Sequence, residues 1–206
     1  MRDFRVAHGA TELLLIRHAE AEPLRPSEAF EPKDVDLPLT PRGRGQAAAL
    51  AVRLQQRGIA AIYTSPLLRT RETAEILAQA TRLPIAEDSR LREVEIAGVG
   101  PVAMHDLAEI AIANGGWSHL PGTESSQDVR ARLREALDAI VVTHPGKRVA
   151  VISHAGAINA YIASLLGLSS DFFFPAGNTS LSIVRARDSL RLLVTVNDIA
   201  HLDSHK

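Results

Sequence analysis

The chain has no cysteine. Disulfide frameworks, thiolate-ligated zinc, thioredoxin-type redox chemistry and cysteine nucleophiles all need a sulfur that is not there. An excess of charge of one sign is lacking too. The 23 Lys and Arg are balanced by 24 Asp and Glu, for a net charge of -1, so the basic surplus of a nonspecific nucleic-acid binder is absent. No apolar run approaches the ~20 residues that a membrane-spanning helix needs. The start, Met1 to Thr11, is polar and carries no apolar core, which is not the pattern of a signal peptide. What is present is 206 residues, 46% of them hydrophobic, enough to bury roughly 70% of the extended-chain surface without a disulfide or metal staple. The expectation is one cytoplasmic domain over residues 1–206 with an N-terminal extension over 1–11. Neither a nucleic acid nor a membrane is expected as a partner.

Strand-length apolar runs alternate with helical patterns, the mark of a mostly parallel central sheet flanked by helices in a three-layer α/β sandwich. Leu13 to Ile16 and Val149 to Ile152 are solidly apolar, as strands buried on both faces should be. Ala60 to Tyr63 and Pro84 to Glu87 are shorter candidate strands, and Ser180–Arg185 with Leu190–Val196 reads as a hairpin at the sheet edge. Thr40-Pro41 and Ser65-Pro66 each combine an N-cap residue with proline at the first helical position. Helices are expected after both, then around Val129 to Ile140 and over Ala155 to Leu166. Between Leu91 and Pro121 the pattern is irregular. Apart from a short helix expected near Val102 to Ala113, that stretch reads as an insertion or lid of the kind that sets specificity.

A local echo carries the functional argument. Leu13-Leu14-Leu15-Ile16-Arg17-His18-Ala19 and Val149-Ala150-Val151-Ile152-Ser153-His154-Ala155 share one grammar: an apolar strand, one polar residue, a histidine, an alanine. Ligands of open α/β sheets bind outside the carboxyl ends of the strands, so adjacent parallel strands would bring the two imidazoles together there. A single histidine of this kind only closes a strand. Two in the same setting, with Arg17 beside them, point to an anion whose oxygens match a guanidinium fork.

The chain resembles the histidine phosphatase superfamily, whose members include cofactor-dependent phosphoglycerate mutases. Arg17-His18-Ala19-Glu20 stands for the family's Arg-His-Gly-Glu, and Leu39-Thr40-Pro41-Arg42-Gly43-Arg44-Gly45-Gln46-Ala47 for its Leu-Thr-x-x-Gly-x-x-Gln-Ala. Ser65-Pro66-Leu67-Leu68-Arg69-Thr70-Arg71-Glu72-Thr73-Ala74 matches Ser-Pro-Leu-x-Arg-x-x-x-Thr-Ala. Leu91-Arg92-Glu93, Gly122-Thr123-Glu124-Ser125, Ser153-His154-Ala155-Gly156, Asn178-Thr179-Ser180 and Asn197-Asp198 with His201-Leu202 follow in order. The resemblance implies His18 as the nucleophile that becomes a phosphohistidine. It also implies Arg17, Arg69 and His154 around the phosphoryl oxygens, and Glu93 as general acid, with Glu95 as the alternative. Glu20 is expected to orient the loop of the nucleophile. The other histidines (His8, His105, His119, His144, His201 and His205) fit solvated or structural roles, with His119 the one placed to touch substrate.

The implied function is metal-independent hydrolysis of a small phosphorylated metabolite, without a cofactor, by a monomer or homodimer. Alternatives are mutase-type phosphoryl transfer, a phosphohistidine-protein phosphatase, or a degenerate member that only binds phosphorylated ligands. The family's mutases resemble longer chains with extra insertions, which favours hydrolysis here. Asp34-Val35-Asp36 mimics an aspartyl-nucleophile motif but follows Glu31-Pro32-Lys33 rather than a buried strand. No Gly-x-Ser-x-Gly elbow or complete phosphate loop is present, and no clustered carboxylates supply metal-ligand spacing. Three departures from the family pattern bear on substrate identity: Ala19 for the usual glycine, Ala21-Glu22-Pro23 for Trp-Asn, and Ala97 to Pro101 after Glu93 for Gly-x-Trp-Glu-Gly.

Overall fold

The computed structural model describes residues 9–23, 36–95, 113–114, 116–117 and 122–205. Four strands, β1 (Thr11–Arg17), β2 (Ile59–Thr64), β3 (Ile85–Glu87) and β4 (Arg148–Ser153), run parallel. β5 (Leu181–Arg187) and β6 (Leu190–Asp198) pair antiparallel at one side, giving a six-stranded sheet in the order β3-β2-β4-β1-β5-β6. The hairpin and the mostly parallel sheet read from sequence are both there. β1 takes in Thr11, whose hydroxyl donates to the His144 carbonyl at 2.7 Å.

The apolar runs are continuous because the two central strands bury both faces. Leu13 and Leu15 of β1, with Val149 and Val151 of β4, pack under α3 (Ser126–Thr143) and α4 (Ala155–Leu166). Leu14, Ile16, Ala150 and Ile152 pack under α1 (Pro41–Leu54) and α2 (Leu68–Thr81). Each fully buried Leu or Ile contributes about 1.5–3 kcal/mol relative to exposure, and a register slip by one residue would exchange the two layers.

Local chemistry sets the helix starts. Thr40 caps α1 by accepting the Gly43 N–H at 2.9 Å, with Pro41 at the first helical position. Ser125 caps α3 by accepting from Asp128 N at 3.1 Å. At Ser65 only a long cap-type bond forms, its hydroxyl accepting the Leu67 N–H at 3.4 Å. α2 begins at Leu68, its cap position is Leu67 without a side-chain bond, and the Leu68 N–H goes to the Asp36 carboxylate. Ser65 is used elsewhere.

The helix expected over Val102 to Ala113 lies, apart from Ala113, outside the described residues. So do His8, His105, His119, Asp34 and Val35. Among the described residues, no helix is long and apolar enough to cross a membrane.

Candidate active site

β1 and β4 are adjacent and in register, with Arg17 opposite Ser153, and the His18 N–H continues the ladder onto the Ser153 carbonyl at 3.0 Å. The residues after this pair are His18 and His154. Their ring centroids lie 5.2 Å apart in an edge-on arrangement, the meeting that the shared grammar anticipates. Both are buried.

Hydrogen bonding fixes the tautomer of His18. Its Nδ1 lies 2.7 Å from the Ala19 carbonyl oxygen. A carbonyl only accepts, so Nδ1 carries the proton and Nε2 keeps its lone pair. Burial, then the Arg69 and Arg17 guanidiniums, hold the His18 pKa well below the usual histidine range, because each disfavours a second positive charge. His154 is held well below that range by burial first and then by Arg69, His18, Arg17 and Arg132. Its Nε2 bonds the Ser65 hydroxyl at 2.9 Å. Its Nδ1 is buried without a partner among the described residues.

The cations around these rings are costly where they stand. Burial lowers the pKa of Arg17 and of Arg69, with Glu93 opposing the shift in both. Arg17 donates from Nη1 to the Ala176 carbonyl at 2.6 Å, while its Nε is buried without a partner among the described residues. Among the described residues, the neighbouring Glu72 is not paired with Arg69. Glu72 takes Arg44 at 2.9 Å and the Leu39 N–H at 2.7 Å. A buried Arg17 whose Nε has no partner among the described residues, beside Arg69 and two imidazoles that burial keeps from charging, is suited to receive an oxyanion.

Glu93 closes the arrangement. Its carboxylate accepts from the N–H groups of Val94 (3.0 Å), Gly156 (3.1 Å) and Ala157 (2.9 Å), seating it on the N-terminus of α4. Glu95, the alternative, is exposed, and its backbone bonds Glu124. Glu20 turns to the start of α1, where it meets Thr40 and Arg42. Among the described residues, no three His, Asp or Glu side chains are grouped to hold a metal ion.

This geometry belongs to a known family. The model of the histidine phosphatase superfamily (branch 1) matches residues 13–199. The chain belongs to the histidine phosphatase superfamily. A Cronobacter sakazakii relative with the name "Probable phosphoglycerate mutase GpmB" is 31% identical over 94% of this chain and 95% of its own. Among solved structures, Bacillus stearothermophilus YhfR superimposes with a TM-score of 0.79 at 28% identity, over 94% of this chain and 100% of that one. A mycobacterial glucosyl-3-phosphoglycerate phosphatase, solved as a complex with VO3, gives 0.74 at 25% identity, over 90% and 98%.

Several motif residues of this superfamily member have physical reasons in the fold. A Cβ on Gly43 would stand 2.0 Å from the Glu20 carbonyl oxygen, so only glycine lets α1 approach the loop of the nucleophile. Ala19 is not among the residues with positive φ, so alanine is tolerated in place of glycine, and Thr73 holds its N–H at 3.0 Å. Sequence reasoning missed Ser65, hidden because Ser-Pro also signals a helix cap. It also missed Arg132, which donates to the carbonyls of Arg90, Arg92 and Glu93 at 2.7–3.0 Å and pairs with Glu124, clamping the segment that carries Glu93. An arginine on an amphipathic helix gives no sequence signal of such a bond set.

Proposed function

We propose that the chain is a metal-independent phosphomonoester hydrolase that acts through a phosphohistidine on a small phosphorylated metabolite. The observation that carries the reading is the fixed tautomer of His18: a neutral, buried imidazole whose Nε2 keeps its lone pair, flanked by Arg17, Arg69 and His154. Phosphoryl transfer needs little covalent chemistry from the protein beyond positioning and charge around the equatorial oxygens. In the first step His18 Nε2 forms a bond to phosphorus as the ester P–O bond breaks, and Glu93 gives its proton to the departing oxygen. In the second, water attacks phosphorus, its proton passes to Glu93, and the N–P bond breaks to restore the lone pair. His154, Arg17 and Arg69 hold the phosphoryl oxygens in both.

The mycobacterial phosphatase supports hydrolysis through its printed name and its complex with VO3. Mutase-type transfer is the second reading, favoured by the name of the 31% identical relative. One screen tests both. The protein with EDTA should hydrolyse p-nitrophenyl phosphate and members of a panel of phosphorylated metabolites. 3-Phosphoglycerate is included with and without 2,3-bisphosphoglycerate. Conversion of 3-phosphoglycerate to its isomer only with the bisphosphate would establish the mutase, and loss of all activity on chelation would remove the metal-independent mechanism.

A further inference from the structure

We propose that Thr179, locked by His201, is a positioning residue that aims Arg17 and His18. Thr179 is fully buried and has φ +57°, a left-handed conformation that is an outlier for a β-branched residue and persists only where its surroundings over-determine it. Its N–H donates to the Arg17 carbonyl at 3.0 Å and reaches the His18 carbonyl at 3.4 Å. The Asn178 side-chain amide donates to the same His18 oxygen at 3.1 Å. The unusual conformation is therefore what turns two donors onto the backbone of the nucleophile.

The lock has an assignable polarity. Arg53 Nη1 lies 3.2 Å from His201 Nδ1, and a guanidinium only donates, so Nδ1 is the acceptor and Nε2 bears the proton. That N–H reaches the Thr179 hydroxyl at 2.9 Å, and the hydroxyl in turn donates a hydrogen bond to the Asn178 carbonyl at 2.7 Å. Arg53 on α1 is itself forked on Asp198 at the end of β6. Next to it, Asn197 binds the Gly177 N–H at 2.7 Å and donates to the Pro175 carbonyl at 3.0 Å. That second tie steadies the loop whose Ala176 carbonyl takes Arg17. His201 is thus neither solvated nor a passive filler: it connects α1 and β6 to the turn that grips the nucleophile.

The inference rests on His18 as nucleophile, and the experiment separates the two. The rate of phosphohistidine formation is measured by rapid quench with p-nitrophenyl phosphate, each variant well below its own melting temperature. His201→Leu and Thr179→Val should each slow phosphorylation about tenfold, because a misaligned group loses transition-state stabilisation. Thr179→Gly adopts positive φ without the lock and keeps the N–H, so it should stay within about threefold of wild type. In the Thr179→Gly background, His201→Leu should have almost no further effect, the non-additivity expected of residues acting through one contact. Wild-type rates in His201→Leu, or the same loss in the glycine background, would overturn the inference. Absence of phosphohistidine in the wild-type protein would instead overturn the parent reading.

Discussion

Replacing Gly156 by alanine sets two effects of opposite sign against each other. Gly156 stands in the first turn of α4, where alanine by itself would add about 0.5–1 kcal/mol through helix propensity. The new Cβ, however, would fall 2.6 Å from Glu93 Oε1 and 2.9 Å from Trp117 Cη2. The Trp117 ring is only 4% exposed and packs edge-on against Phe172, so it has no room to withdraw. Overpacking of this kind costs about 1–3 kcal/mol. The carboxylate must also leave the N–H groups of Gly156 and Ala157, and hydrogen bonds to a charged group contribute about 1.5–3 kcal/mol each. The steric loss outweighs the propensity gain. With a shift of ~2–4 °C per kcal/mol for a chain of this size, the overpacking alone should lower the melting temperature by about 2–12 °C, and the lost hydrogen bonds add to that. Because the displaced group is the proposed acid, hydrolysis of an alkyl phosphate should fall about a hundredfold or more, the contribution of general acid catalysis. Release of p-nitrophenolate, which needs little protonation, should fall far less. A Gly156→Ala protein that melts higher and cleaves both substrates at wild-type rates would refute the reasoning on Glu93.

Ser65→Ala leaves the buried His154 Nε2 without its 2.9 Å partner, so stability should drop by about 1–3 kcal/mol, and chemical denaturation against kcat/KM should show both losses. Arg132→Met frees the carbonyls of Arg90, Arg92 and Glu93 and strands Glu124. It should lower the melting temperature and, like the glycine variant, slow alkyl phosphates more than p-nitrophenyl phosphate; equal slowing would contradict the clamp. The native pKa values of His18, His154 and His201 all lie below the ordinary 6.5, chiefly through burial and secondly through neighbouring guanidiniums. The unfolded chain therefore binds more protons than the fold between those depressed values and 6.5. The contribution of these residues to stability is full above 6.5 and is lost as pH falls through that window. Denaturant midpoints at several pH values check the sign, and a midpoint that rises on acidification from pH 7 to 5 would contradict it.

The parts of the fold that were legible in sequence are those set by local chemistry. Leu13 to Ile16 and Val149 to Ile152 read as two-face-buried strands because every residue in them meets a helix layer. Thr40-Pro41 read as a helix start because cap and proline act within three residues. The motifs named Arg17, His18, Arg69, Glu93 and His154 as the candidate site. What was not legible depends on contacts across the chain. Ser65 serves His154, 89 residues away, and nothing local distinguishes it from a cap. Gly156 must be glycine because of Glu93 and Trp117, neither of which lies near it in sequence. The left-handed Thr179 follows no rule of composition, since its conformation is imposed by His201 and the strand end it holds.

The proposed bond between His18 Nε2 and phosphorus is tested most directly by trapping it. The protein is turned over with p-nitrophenyl phosphate, quenched in alkali, digested and examined by mass spectrometry. An acid-labile phosphate is expected on the peptide carrying His18, absent in His18→Ala. Phosphate on any other residue, or full turnover with no phosphorylated peptide, would contradict it.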